Sequence, residues 1–284
     1  MNIGLVLSGG MSKGAYQLGA LKAIEKYIPR EKIKYISCSS VGVINGYAFI
    51  TNSMDHLETI WNNIHTTDAR FFVNKMLRTN LLQHDIRELV IPEEPINTNF
   101  YCTLMDISNK STSYQNLSSV AQKQIPLYLK AGIATPLYNR AIRINDVPYF
   151  DGSYVDSIPV YPLLKHNLDY IICISFDEAK QRFENTYLDN KVIRINFSSN
   201  VNMDKKYRIS KNDTVEDMIK KGYDRADSIL YSVLYNGLED LEYIYKIVEY
   251  KNMNNPQRET NAFEDILTML LNKIKKTFFK KRIL

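Results

Sequence analysis

Short apolar runs alternate with segments of helical periodicity along the first fifty residues. The runs "NIGLVL" (2–7) and "IKYISC" (33–38) are continuous and bounded by small or charged residues, which is typical of strands buried on both faces. Between them, apolar residues recur every three or four positions from Leu18 to Ile28, and Pro29 ends the predicted helix. A second helix, "VINGYAFI", follows the second strand. This alternation predicts a parallel sheet covered by helices, with functional groups at the carboxyl ends of the strands.

The same patterns predict the later elements. Helices are expected at 55–65 and within 70–90, and strands at 97–107, 168–176 and 191–198. The segment 140–152 is predicted to be a hairpin that turns at Asn145-Asp146. From about residue 212 the chain is expected to be helical, with Thr214 as an N-cap. The last helical stripe consists of Leu238, Leu241, Tyr245 and Val248. We therefore predict one α/β catalytic core at 1–210 and a helical C-terminal extension at 211–284.

Composition and charge exclude several classes of protein. The chain is 45% hydrophobic and 24% charged, as in an ordinary globular protein. Its three cysteines are far apart, which argues against a disulfide framework or a zinc site and suits a reducing compartment. The sequence shows no signal peptide and no apolar run long enough for a spanning helix, so we expect a soluble, cytoplasmic protein. Six of the 36 basic residues lie in 271–284, which has no acidic residue. The rest of the chain then has 36 − 6 = 30 basic against 31 acidic residues, so nucleic-acid binding by the body of the protein is not indicated.

A glycine-rich stretch, "SGGMSKG" (Ser8–Gly14), joins the first strand to the first helix. Its backbone amides and the positive end of the helix would suit a phosphate or a developing oxyanion. The spacing does not fit a P-loop, because Ala15 follows the last glycine and Lys13 precedes it. The alternative is a strand-to-helix turn that needs glycine only for packing.

A second stretch, "CSSVG" (38–42), lies between the second strand and the second helix. A serine on such a sharp turn exposes its hydroxyl above the sheet edge, as in the Gly-x-Ser-x-Gly nucleophile elbow. Ser40 and Gly42 match that spacing, but Cys38 stands at the first glycine position. The alternative is that Ser39 or Ser40 caps the helix.

A third stretch, "YFDGSYVDSIPV" (149–160), places Asp151 and Gly152 directly after an extended segment. The Asp151 carboxylate is therefore a candidate base that projects from a strand end. The alternative is an ordinary Asp-Gly turn. Asp156 is a second carboxylate nearby, without a glycine after it.

Together and in this order, "LSGGMSKGAYQLGALKAI", "CSSVGVING" and "YFDGSYVDSIPV" resemble the patatin-like phospholipase family, and "GYDRA" (222–226) is similar to a late element of its bacterial members. The resemblance covers about 2–228. It implies a three-layer α/β/α fold with a mainly parallel central sheet. It also implies a serine acyl hydrolase that cleaves phospholipid or other lipid esters through a Ser–Asp dyad, without a metal or cofactor.

The resemblance assigns roles to individual residues. It implies that Ser40 is the nucleophile and Asp151 the base. The amides of Gly9, Gly10 and Met11 would form the oxyanion hole. The supporting positions are Lys13, Gly14, Gly42 and Gly152. This chain departs from the family pattern at Cys38, Met11 and Ser153. The departure at Met11 should cost little stability if the φ of this residue is negative.

Three alternatives stay open from the sequence. A Ser–Asp–His triad would need His166, since the other three histidines precede Asp151, although a surface role is expected for His166. The chain could also be a catalytically silent lipid-binding or scaffold protein with this fold. The tail at 263–284 has a basic amphipathic pattern that suits an anionic membrane surface, or equally a terminal helix docked on the domain.

Overall fold

The computed structural model describes residues 1–64, 86, 89–90, 96–136, 139–176, 190–198, 203–210 and 212–253. Apart from residues 86, 89 and 90, the expected helices within 70–90 lie outside these residues, as does the tail at 263–284.

Strand and helix alternate through residues 1–64 as the apolar pattern predicts. The strands β1 (Ile3–Leu7) and β2 (Ile33–Cys38) flank helix α1 (Gly14–Tyr27). Helices α2 (Val41–Ile50) and α3 (Met54–Ile64) follow. β1 is completely buried, so its continuous apolar run has helices or chain on both faces.

The middle of the chain adds strands of both orientations. These are β3 (Asn99–Asp106), β4 (Ser111–Asn116), β5 (Ile142–Ile144) and β6 (Val147–Asp151). Helix α4 (Ile125–Gly132) lies between β4 and β5. The hairpin of β5 and β6 turns at Asn145 and Asp146, whose φ angles of 49° and 64° suit a tight hairpin turn, as predicted. The sequence analysis did not predict β4 or α4. β4 is short, polar and half-buried throughout, so it lacks the alternation that identifies a strand.

The last described elements are the strands β7 (Tyr170–Phe176) and β8 (Val192–Phe197) and the helices α5 (Val215–Val233) and α6 (Leu241–Met253). The predicted N-cap is present, because the Thr214 hydroxyl accepts a hydrogen bond from the Asp217 amide while the Asp217 carboxylate accepts one from the Thr214 amide. Within the described residues, no helix is long and apolar enough to cross a membrane.

All the described strands form one sheet in the order β5-β6-β3-β2-β1-β7-β8, with β4 also paired to β3. The four pairings among β3, β2, β1, β7 and β8 are parallel, whereas those of β4, β5 and β6 are antiparallel. The predicted class is confirmed: a mainly parallel central sheet flanked by helices.

Helix α5 packs closely against α1. A Cβ atom on Gly19 would lie 1.9 Å from the Ile219 carbonyl oxygen, and one on Gly222 would lie 2.0 Å from the Tyr16 carbonyl oxygen. The two backbones therefore touch, which requires glycine at both positions. At one end of this contact the Tyr16 hydroxyl donates a hydrogen bond to Asp213, which also pairs with Lys221 at 2.6 Å. Gly222, the glycine of the "GYDRA" stretch, therefore allows α5 to pack against α1.

Candidate active site

Ser40 lies on a strained turn between β2 and α2. Its backbone has φ 53° and ψ −131°, in the left-handed half of the map that a serine rarely adopts, and strain of this kind is characteristic of functional sites. A Cβ on Gly42 would lie only 2.5 Å from the Leu7 carbonyl oxygen, so glycine lets α2 begin directly against β1. The Ser40 side chain makes no capping hydrogen bond to α2, which does not fit the capping alternative.

Cys38 occupies the elbow position where the family pattern has glycine. Its side chain is completely buried, and burial raises the pKa of its thiol well above the ordinary value. A Cβ on Gly46 would lie 2.6 Å from the Cys38 sulfur. Gly46, inside α2, therefore provides the space that the cysteine fills. The cysteine at position 38 is thus accommodated by a second glycine, Gly46.

Asp151 ends β6 and is brought to Ser40 by the sheet. β6 pairs with β3, and β3 pairs with β2, whose carboxyl end leads into Ser40. A Cβ on Gly152 would lie 2.3 Å from the Thr103 carbonyl oxygen, so glycine is required where the chain leaves the strand. The Asp151 amide donates to the Ala134 carbonyl at 2.9 Å, which fixes the backbone that carries the carboxylate.

The Asp151 carboxylate is almost fully buried, with 3% of the residue exposed. Burial raises its pKa to about 6, because removing water disfavours the charged form. A hydrogen bond from the Ser153 amide at 2.8 Å and the neighbouring Ser40 hydroxyl oppose this effect on the pKa. The Ser40 hydroxyl thus lies close enough to the desolvated Asp151 carboxylate to lower its pKa, which is nonetheless closer to neutrality than that of an exposed aspartate.

Asp156, the second candidate carboxylate, has a different environment. Its Oδ2 accepts a hydrogen bond from the Tyr114 hydroxyl at 2.6 Å, and its backbone carbonyl accepts one from the Ser39 hydroxyl at 3.0 Å. These contacts attach the segment after Asp151 to the turn that carries Ser40. Asp156 therefore connects the segment after Asp151 to β4 and to the turn that carries Ser40.

The glycine-rich loop lies beside Ser40, but the amide of Gly9, its first glycine, already makes a hydrogen bond within the protein. The Gly9 amide donates a hydrogen bond to the Ser157 carbonyl at 3.0 Å, and its expected role as an oxyanion donor stays a prediction. Glycine is needed there because a Cβ would lie 2.9 Å from that of Ser153 and 3.2 Å from that of Ser40. The amides of Gly10 and Met11 are the remaining donor candidates.

Met11 has a φ of 48°, so the condition for a small cost, a negative φ, is not met. Met11 is 43% exposed and begins a short 3₁₀ turn (Met11–Lys13) that leads into α1. The Lys13 amide closes this turn on the Gly10 carbonyl at 3.0 Å. Gly14 then brings α1 against α3, since a Cβ there would lie 2.1 Å from the Trp61 ring.

A buried polar cluster next to the loop was missed by the sequence analysis. It consists of Gln17 on α1, Asn45 on α2 and Trp61 on α3, which are joined by hydrogen bonds to one another and to the carbonyls of Ser8 and Gly14. A signal was present in the sequence for Asn45, because it is a polar residue within the otherwise apolar stretch "VGVINGYAFI".

His166 lies away from the Ser40 turn. Its ring stacks on Tyr35 at a centroid distance of 3.9 Å, and its Nε2 is 3.0 Å from the Tyr101 hydroxyl. Burial and the neighbouring Lys165 lower the pKa of His166. Tyr35 is three residues before the end of β2, about 10 Å along the strand, and Ser40 follows that end. The position of His166 therefore gives no support to a triad.

A comparison with family models agrees with the motifs. The family model described as patatin-like phospholipase matches residues 5–164. Among solved structures, the crystal structure of VipD from Legionella pneumophila is similar, with a TM-score of 0.44 and 13% identity, covering 97% of this chain and 76% of that one. A comparison with curated proteins finds no match. The matched segment is more than half of the 284 residues and contains the loop, the Ser40 turn and Asp151. The chain belongs to the patatin-like phospholipase family.

Proposed function

We propose that this protein is a serine acyl hydrolase that cleaves ester bonds of phospholipids or related lipids, with Ser40 as nucleophile and Asp151 as general base. The observation that carries the proposal is that the Ser40 hydroxyl, on its strained turn, lies beside the buried Asp151 carboxylate and lowers its pKa. Membership of the patatin-like phospholipase family supports lipid esters as the substrate class. The reaction needs no metal or cofactor.

The proposed reaction proceeds in two halves. Ser40 attacks the ester carbonyl while Asp151 accepts its proton, and the Gly10 and Met11 amides stabilise the oxyanion of the tetrahedral intermediate. The leaving alcohol takes the proton from Asp151 and departs, which leaves an acyl-Ser40 ester. Water then attacks this ester while Asp151 again accepts the proton, and the fatty acid is released as Asp151 returns that proton to the Ser40 oxygen. A pKa of about 6 makes Asp151 a stronger base than an exposed aspartate and still leaves it largely ionised at neutral pH.

Labelling with a fluorophosphonate probe tests the nucleophile. We expect the wild-type protein to be labelled and to hydrolyse a p-nitrophenyl ester, and Ser40→Ala to abolish both. Ser39→Ala is the matched control, because its hydroxyl donates to the Asp156 carbonyl and not to Asp151. It should still be labelled. If the folded wild-type protein is neither labelled nor active, the alternative of a catalytically silent lipid-binding protein is correct.

The same assay distinguishes the dyad from a triad. Asp151→Asn should lower kcat by about 100- to 10,000-fold, the usual contribution of a general base. His166→Ala should leave kcat within about threefold, because His166 contacts Tyr35 and Tyr101 away from the Ser40 turn. A loss of about a thousandfold in the His166 variant would support the triad.

The proposal includes contact with an anionic membrane surface from the cytoplasmic side through the basic tail at 263–284, which lies outside the described residues. Deleting 271–284 removes six basic residues and no acidic one. We expect the deletion to weaken sedimentation with vesicles that contain an anionic phospholipid, while hydrolysis of a water-soluble ester stays unchanged. Equal sedimentation of the two proteins would rule out the tail as a membrane contact.

A further inference from the structure

Three buried polar side chains form a cluster between α1, α2 and α3. Gln17 and Asn45 have no exposed surface, and Trp61 is 1% exposed. The surrounding residues of these helices are apolar, including Leu18, Val43 and Ile44. Polar side chains in such a layer persist only when their hydrogen bonds are made, so the cluster imposes a defined geometry on the three helices.

Asn45 is the centre of this cluster. Its Nδ2 donates to the Gly14 carbonyl at 2.9 Å and to the Gln17 Oε1 at 2.9 Å. Its Oδ1 accepts a hydrogen bond from the Trp61 indole N–H at 3.2 Å. An indole only donates and a backbone carbonyl only accepts, so these partners allow a single orientation of the Asn45 amide.

The cluster connects both ends of the glycine-rich loop to the helix that follows Ser40. Gln17, held by Asn45, donates from its Nε2 to the Ser8 carbonyl at 3.3 Å. Ser8 begins the loop and Gly14 ends it, and the amides of Gly10 and Met11 lie between them. Asn45 lies on α2, five residues after Ser40. One side chain thus relates the position of the loop to the position of the nucleophile candidate.

We propose that Asn45 is a positioning residue that holds the oxyanion loop in register with Ser40. This inference rests on the proposed acyl hydrolase function. Oxyanion donors must lie within about 2.7–3.1 Å of the developing charge, and loss of one donor typically lowers kcat by about 100- to 1,000-fold. A loop that shifts by a fraction of an ångström relative to Ser40 therefore loses much of its effect on the transition state.

The test uses Asn45→Asp in the full-length protein. This variant keeps the side-chain size and the acceptor for Trp61 but places an oxygen against the Gly14 carbonyl. Two measurements are made: hydrogen exchange of the peptide that covers residues 8–17, and kcat and KM on a p-nitrophenyl ester. We expect exchange about tenfold faster than in the wild type. We also expect kcat about 100-fold lower with KM within about threefold, because the loop acts on the transition state.

Val43→Ala is the matched control, since Val43 is equally buried on the same helix and makes no contact with the cluster through hydrogen bonds. It should leave both exchange in 8–17 and kcat near the wild-type values. If Asn45→Asp does not fold, Asn45→Leu replaces it with the same expectations.

The outcomes separate this proposal from the proposed function. Unchanged exchange in 8–17 would overturn the positioning role whatever the activity. Faster exchange with unchanged kcat would also overturn it, because the loop position would then not matter to the reaction. Faster exchange in a protein whose wild type does not hydrolyse or become labelled would support Asn45 as the anchor of the loop and reject the acyl hydrolase function.

Discussion

Replacing Asp151 by asparagine should inactivate the protein and also make it more stable. In the folded state the pKa of this carboxyl is about 6, against an ordinary value of 3.8, and burial is the largest cause. A carboxyl with a raised folded-state pKa binds its proton more tightly in the folded than in the unfolded state. Stability is therefore lost as the pH rises from the unfolded value through the folded one, and the loss is complete above about pH 7.

The magnitude follows from the difference between the two pKa values. Each unit corresponds to about 1.4 kcal/mol, so the buried charge lowers the free energy of unfolding by about 3 kcal/mol at pH 7.5 and by about 0.6 kcal/mol at pH 4. Asparagine has almost the same shape and carries no charge. Its Oδ1 can accept the Ser153 amide, and its Nδ2 can donate to the Ser40 hydroxyl oxygen. The neutral side chain should therefore recover most of this free energy.

The assay is urea denaturation of the wild type and Asp151→Asn at several pH values. We expect the variant to be more stable by about 3 kcal/mol at pH 7.5, with the difference shrinking towards pH 4. Asp146→Asn serves as the control, since Asp146 lies exposed in the β5–β6 turn, where asparagine also accepts a positive φ. The free energy of unfolding of Asp146→Asn should stay within about 0.5 kcal/mol of the wild-type value. A difference for Asp151→Asn that is absent, or that does not vary with pH, would refute the desolvated-carboxylate argument.

Three further predictions concern the same site. The kcat/KM of the wild type should fall about tenfold per pH unit below about 6, where Asp151 is protonated, and a flat profile from pH 5 to 8 would contradict its role as base. Met11→Gly should raise stability in urea denaturation by ~1 kcal/mol, because it relieves a φ of 48°, and should retain activity since the amide remains; a destabilised variant would argue against that strain. Cys38→Gly should retain activity and lower the free energy of unfolding by about 1–2 kcal/mol. Gly46→Ala alone should be destabilising, and combining it with Cys38→Gly should recover stability. Strictly additive free energies in that pair would show that the two positions do not share one space.

The local pattern was sufficient to predict most of the elements. Apolar runs identified the buried strands of the sheet, including β1 and β7, because a strand covered on both faces must be apolar along its whole length. The Asn145-Asp146 turn and the cap at Thr214 follow equally from local chemistry. β4 and α4 were missed, since β4 is polar and is held by its pairing with β3, a contact that no local period records.

The candidate site was predictable in identity but not in geometry. The order of the glycine loop, the Ser40 turn and Asp151-Gly152 pointed to the family, and the family match covers all three. Their contact depends on the strand order β6-β3-β2-β1, which brings the ends of distant segments together. Packing between segments far apart in the chain also decides three further features. These are the hydrogen bond from the Gly9 amide to Ser157, the space beside Gly46 that the Cys38 sulfur fills, and the cluster around Asn45.

The sequence by itself determined which residue types are present, their spacing and the period of each element, because these properties are local. The tertiary structure decided the burial of Asp151, and with it the raised pKa, since desolvation arises from every segment packed around a group. It also decided the positive φ of Met11 and Ser40, because only the surrounding packing can hold a non-glycine residue in that conformation.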